Sequence, residues 1–161
     1  MAVSLRPVAP DDGLLLYKLY ASTRAFELSF VPWSDSQKEA FLTAQLSAQQ
    51  RHYQDYYPGS EHKIILSDEE PIGRLYVARE TDEIKILDIT ILPERRGAGI
   101  GTPIIKGLMQ EAESLDVPLT IYVETHNPSG RLFDRLGFVP KENDGLNILF
   151  EWRSAKSEPE T

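Results

Sequence analysis

The chain has no cysteine among its 161 residues. Disulfides, a cysteine nucleophile and thiolate metal sites are therefore excluded. Histidine is scarce as well. His52, His62 and His126 are too scattered for a metal-ligand motif, so no metal site is expected. No serine sits in a G-x-S-x-G elbow, and any catalysis is expected to proceed without a metal or a covalent intermediate. Long apolar runs are also missing. None approaches the roughly 18 residues of a membrane span, and the first residues, MAVSLRPVAPDDG, lack a signal peptide's apolar core. The expectation is a cytoplasmic protein with no membrane partner.

Positive charge is in short supply. Lysine and arginine number 17 against 25 aspartates and glutamates, a net charge of −8, of which Lys156, Glu158 and Glu160 contribute −1 and the body −7. That balance argues against nucleic-acid binding. An acidic surface suits cationic partners such as amines, and it also serves solubility alone.

What is present is ordinary for one globular domain: 41% hydrophobic and 26% charged residues, in a chain long enough to bury a core. Residues 1–153 read as that domain, and SAKSEPET (154–161) as a polar, disordered tail. VSLRPV (3–8) reads as a strand and 11–26 as a helix with acidic capping candidates. A second helix over 34–57 has Ser34 and Gln37 at capping-box spacing, with Phe41, Leu42, Leu46, Tyr53 and Tyr56 roughly on one face. HKIILS (62–67), GRLYVAR (73–79) and EIKILDITIL (83–92) read as strands joined by short polar turns. The third of these changes phase. Ile84 and Ile86 are apolar at even positions, Leu87, Ile89 and Ile91 at odd ones, which predicts a β-bulge or burial on both faces. Past the switch, Asp88 and Thr90 share a face.

Next comes ILPERRGAGIGTPIIKGLMQEA (91–112), where Ile100, Ile104, Ile105, Leu108, Met109, Ala112 and Leu115 recur at helical spacing. VPLTIYVE (117–124) is a strand, Asn127-Pro128 reads as the start of a short helix ending at Gly137, and GFVP with LNILFEWR (146–153) forms a final hairpin. The order describes an α/β architecture with a mixed sheet. Three glycines, Gly97, Gly99 and Gly101, follow Arg95 and Arg96 directly before a helix. A strand-to-helix turn needs one or two. The helix start offers unpaired N–H groups, and glycine lets an anion approach them, so the pattern favours a phosphate cradle. It is neither a P-loop nor the G-x-G-x-x-G dinucleotide fingerprint.

LDITILPERRGAGIGTPIIKGL followed by YVETHNPSGRLFDRLGF resembles the GCN5-related N-acetyltransferase (GNAT) superfamily. Arg96, Gly99 and Gly101 meet its [QR]-x-x-G-x-[GA] motif. Asn127, Gly130, Leu132 and Gly137-Phe138 meet its N-x-x-[AG]-x-x-L-[YF]-x-x-x-G-F signature. The resemblance covers about residues 3–153. It implies the GNAT fold: a mixed, mostly antiparallel sheet of six or seven strands flanked by four helices, with the fourth and fifth strands splayed apart. It also implies acetyl-CoA as cosubstrate, its pyrophosphate on the backbone of Arg96, Gly97, Ala98, Gly99, Ile100, Gly101 and Thr102. Pantetheine would run along Ile91 and Leu92, with Asn127 and Phe133 on the other wall. Pro103 removes one N–H from this anion site.

Acetyl transfer to an amine needs a base, because an alkyl amine of pKa ~10 is protonated at neutral pH. Asp88 and Glu124 are the candidates, with Tyr122 as a proton relay or a packing residue. The position where many family members carry an acid tyrosine holds Phe133, which has no hydroxyl. The acceptor site is expected in 11–57, where Glu27, Trp33, Tyr53, Tyr56 and Tyr57 would form an aromatic, acidic pocket or simply core. The reading is an acetyl-CoA-dependent N-acetyltransferase acting on the primary amine of a small molecule in a ternary complex. The alternatives are a protein or peptide acetyltransferase, on lysine or an N-terminus, and a non-catalytic acyl-CoA-binding module. The apolar strand LNILFEW suggests a homodimer interface.

Overall fold

The structure is a computed structural model that describes residues 2–125 and 127–155. Met1, His126 and residues 156–161 of the expected disordered tail (154–161) lie outside the described residues. In chain order come β1 (Val3–Pro7), a 3-10 turn (Pro10–Asp12), α1 (Gly13–Leu28), α2 (Asp35–Tyr56), β2 (Glu61–Ser67), β3 (Glu70–Arg79) and β4 (Ile84–Ile91). A second 3-10 turn (Pro93–Arg95) leads to α3 (Gly101–Leu115), β5 (Leu119–Glu124), α4 (Gly130–Arg135), β6 (Val139–Asn143) and β7 (Asn147–Trp152). The seven strands form one sheet in the order β1-β2-β3-β4-β5-β7-β6. The β4–β5 pair is parallel and β1–β2, β5–β7 and β6–β7 are antiparallel, so the sheet is mixed. Among the described residues no helix is long and apolar enough to cross a membrane.

Contacts divide the chain into two compact units, Met1–Tyr76 with Ile89–Ala98, and Val77–Asp88 with Gly99–Thr161. In the first, α1 and α2 bury Leu16, Tyr20, Leu28, Leu42 and Leu46 against Ile64 of β2. The expected capping box starts α2: Ser34 Oγ accepts from Gln37 N–H (3.2 Å) and Gln37 Oε1 from Ser34 N–H (2.8 Å). The apolar stripe of α2 is thinner than the sequence suggests, for Phe41 and Tyr56 are exposed. Glutamines take inward positions instead. Gln45 accepts from the Tyr20 hydroxyl (3.0 Å), and Gln49 from the buried guanidinium of Arg74 (2.6 Å). The β2–β3 turn holds Asp68 and Glu69 in left-handed backbone, φ 49° and 69°, where glycine or asparagine is usual. Reciprocal bonds between Asp68 and Ala2, both 2.8 Å, secure it.

In the second unit α3 buries Ile104, Ile105, Leu108 and Ala112, as its periodicity predicts, while Leu115 at its end is exposed. The helix stops at Asp116 in left-handed backbone. Phe133 of α4 packs edge-on to Phe138, and a Cβ at Gly137 would touch the Trp152 ring at 3.8 Å. Strand β7 is an inner strand between β5 and β6, so both its backbone edges are used within the sheet.

Two hydrogen bonds fix how β4 lies on β3. Glu80 N–H donates to Glu83 O (2.8 Å) at the hairpin, and Leu92 N–H to Ile72 O (2.9 Å) at the far end. Between them β3 advances eight residues and β4 nine. The extra residue in β4 is a β-bulge, as the change of apolar phase predicts. The ladder with β5 is regular through Ile86, which puts the bulge beyond that residue. A Cβ at Gly73 would lie 2.6 Å from Thr90 O, so only glycine lets β3 approach this part of β4.

At the start of the first unit Asp12 is buried under Arg6, with paired contacts of 2.8 Å, and accepts from Ala9 N–H (2.7 Å). The Arg6 hydrogen bonds lower its pKa from 3.8 to about 2 against the opposing effect of burial. The folded carboxyl is thus harder to protonate than the unfolded one, and its stabilisation is complete only above the ordinary value. Asp12→Asn should cost roughly 1–2 kcal/mol at neutral pH. In urea titrations the gap to wild type should close as pH falls from about 4 towards about 2.

Candidate active site

Chain geometry around residues 91–102 changes at every step. After the 3-10 turn Arg96 is extended, φ −75° and ψ 156°. Gly97 and Gly99 are left-handed, φ 77° and 76°, and Ile100 is already helical and buried. Left-handed backbone is what restricts both positions to glycine, since a Cβ at either would meet no protein atom within 4 Å. Gly101 opens α3 without a positive φ. Among the described residues no backbone carbonyl accepts a hydrogen bond from the N–H groups of Gly97, Gly99, Ile100, Gly101 or Thr102, while that of Ala98 closes the turn over Arg96 and Gly97. Donors without acceptors, open space and a helix start fit a diphosphate.

The side chains of the two arginines are engaged within the protein. Arg95 pairs with Glu70. Arg96 Nε donates to Ile91 O at 2.8 Å and its Nη2 to Ser22 Oγ of α1 at 3.1 Å. Each guanidinium thus braces one part of the protein against another. Ile91 O belongs to the peptide whose other end, Leu92 N–H, is bound to Ile72 O. The carbonyl therefore points away from β3. In extended backbone the N–H of Ile91 points the same way, so an extended ligand can pair with that N–H and with the second lone pair of the carbonyl that Arg96 already holds.

In the second unit the parallel ladder consists of Ile84–Leu119, Lys85–Thr120 and Ile86–Ile121, and β5 runs on to Glu124. The last residues of β5 stay in register with β7, Tyr122 with Leu149 and Glu124 with Asn147. Asp88 and Glu124 are half-buried. Tyr122 is not core, being 53% exposed. Lys85 lies 4.9 Å from the centre of its ring and 3.2 Å from Glu83, which also accepts from the Thr120 hydroxyl (3.1 Å). No motif or spacing announces this Glu83–Lys85–Tyr122 group, which forms only once β4 and β5 pair.

Asn127 caps differently from the expectation. Its Oδ1 accepts from Ser129 N–H (2.9 Å) in an Asx turn, and α4 begins at Gly130. Phe133 is 1% exposed, its ring against Phe138 and Phe150. The expected aromatic pocket does not assemble. Trp33 packs on Phe41 at the start of α2 and Tyr53 on Tyr76 near its end, and a 22-residue helix spans about 33 Å. A cleft of about 640 Å³ beside α1 and α2, lined by Tyr17, Glu39 and Gln50 among others, contains none of the candidate donor-site residues.

The family model of the acetyltransferase (GNAT) family matches residues 22–138, and the chain belongs to that family. Its members are N-acetyltransferases that use acetyl-CoA, and the protein is an acyltransferase of this class. No curated protein matches the sequence significantly. Solved structures share the fold. PaiA N-acetyltransferase from Thermoplasma acidophilum, in complex with coenzyme A, is 15% identical, with a TM-score of 0.72 over 96% of this chain and 100% of that one. An acetyltransferase from Thermus thermophilus is 19% identical, with a TM-score of 0.68 over 96% and 98%. The Campylobacter jejuni N-acetyltransferase PseH, in complex with acetyl coenzyme A, is 17% identical, with a TM-score of 0.61 over 96% and 100%.

Burial assigns Phe133 to the core before any role at a ligand. Phe133→Ala should lower unfolding free energy by about 3–5 kcal/mol, read as a drop in the urea midpoint of the ligand-free protein. A midpoint within error of wild type would contradict the packing.

Proposed function

We propose that the protein transfers the acetyl group of acetyl-CoA to the primary amine of a small molecule, by direct attack in a ternary complex. The observation that carries this reading is the set of five backbone N–H groups, of Gly97 and of Gly99 to Thr102, with no backbone acceptor among the described residues. They would hold the diphosphate, with Ile91 and Leu92 pairing to the pantetheine arm like an added strand. Asn127 keeps its side-chain nitrogen for the same ligand. The thioester supplies an activated acyl group and a thiolate of pKa ~8.5 that leaves without a dedicated acid. Phe133, buried and without a hydroxyl, gives it none. The Ile91 N–H at the end of β4 would bind the carbonyl oxygen as it gains charge.

Asp88 and Glu124 are the groups to take the amine's proton. A bulge falling directly after Ile86 would turn Asp88 onto the face of Thr120, Tyr122 and Glu124. Exposed Tyr122 can pass the proton on through water. The net charge of −8 draws a cationic amine towards the protein.

Saturating acetyl-CoA, at 100 times its dissociation constant, should stabilise the fold by ~2.7 kcal/mol. Thiol release should follow with amines of a small-molecule panel, and a rate found only with peptides would replace the acceptor class. Gly99→Val should lose CoA affinity well beyond its conformational cost of about 1–2 kcal/mol; equal losses would leave the glycines as a bare turn. Asp88→Asn, if Asp88 is the base, should slow turnover about 10²–10⁴-fold at pH 7 and recover at high pH. Wild-type rates in both Asp88→Asn and Glu124→Gln would remove both carboxylates from that role.

A further inference from the structure

We infer that Arg96 is a positioning residue: keyed to α1 through Ser22, it fixes the peptide between Ile91 and Leu92 and does not itself ligate the diphosphate. This rests on the reading of the Ile91 edge as the donor site. Three bonds make the clamp. Arg96 Nε donates to Ile91 O at 2.8 Å, Arg96 Nη2 to Ser22 Oγ at 3.1 Å, and Leu92 N–H to Ile72 O at 2.9 Å. The first and third grip opposite ends of one peptide unit.

Ser22 is matched to its task. Its hydroxyl proton is committed to Leu19 O at 2.7 Å, which leaves the oxygen as an acceptor, the partner a guanidinium requires. The planar fork of arginine spans two acceptors on different elements at once, which a lysine ammonium on its flexible stem does not reproduce. Arg95 next to it is taken by Glu70, so it cannot substitute. The clamp joins a helix that precedes every strand of the donor site to the strand end on which the pantetheine arm would lie. Its effect on the ligand is therefore indirect. It sets the direction of the Ile91 carbonyl and N–H, and through them the line of the acyl group.

The test uses the full-length protein as wild type, Arg96→Ala and Ser22→Ala. In the ligand-free protein, amide hydrogen exchange of Leu92 followed by NMR should quicken about tenfold in Arg96→Ala, the worth of one charged hydrogen bond. Ser22→Ala should move it the same way by less, while α3 amides keep their rates. Unchanged Leu92 exchange in both variants overturns the clamp. Turnover is then compared with acetyl-CoA and with S-acetylpantetheine, which lacks the diphosphate. The inference requires Arg96→Ala to lower kcat/KM by the same factor for both donors. A loss confined to acetyl-CoA overturns it and assigns the guanidinium to the diphosphate. Should wild type fail to bind CoA, the donor-site reading falls, and the exchange rates still decide the clamp.

Discussion

The end of β4 has to satisfy two demands at once: it must stay fixed on β3 and yet turn one backbone edge away from it. The peptide joining Ile91 to Leu92 meets both, because its N–H is given to Ile72 and its carbonyl is turned outward. The bulge earlier in the strand makes this possible. One extra residue alters which groups face β3, and Gly73 permits the close approach that results. The 3-10 turn, the left-handed glycines and the start of α3 then follow directly. In the opposite phase the Ile91 carbonyl would face β3 and be used up there, so one inserted residue governs the chemistry available downstream.

Most of the fold was legible because its signals are local. Helical spacing marked α3, the capping box marked α2, and the phase change at Ile86–Leu87 announced the bulge. The glycine loop was legible for a related reason: positive φ at Gly97 and Gly99 demands that residue type. Where two local structures share one sequence pattern, the reading failed. An Asx turn and a helix N-cap both want asparagine followed by proline, and Asn127 makes the turn. The Asp68-Glu69 turn carries no glycine at all, since Ala2 holds it from across the sheet edge.

The remaining misses concern partners distant in sequence. Arg96 meets Ser22 across 74 positions, and Arg74 meets Gln49 across 25. No periodicity encodes such pairs. Charge alone gives two adjacent arginines no partners, and only three-dimensional proximity shows them bound to Glu70 and to Ile91. Tyr122 was ambiguous because alternation gives a face but not what covers it. The aromatic residues of 11–57 were read as one cluster, whereas helix length separates Trp33 from the tyrosines near the end of α2.

The two tryptophans fall one in each compact unit, Trp33 edge-on to Phe41 and Trp152 beside Gly137. Excited at a wavelength that tyrosine does not absorb, the protein therefore carries one optical reporter for each half of its contacts. A denaturation curve read by this emission resolves whether the halves melt as one cooperative block or in sequence. Removing either indole leaves the signal of the other unit alone, so the cooperativity of the whole fold can be followed without attaching a dye.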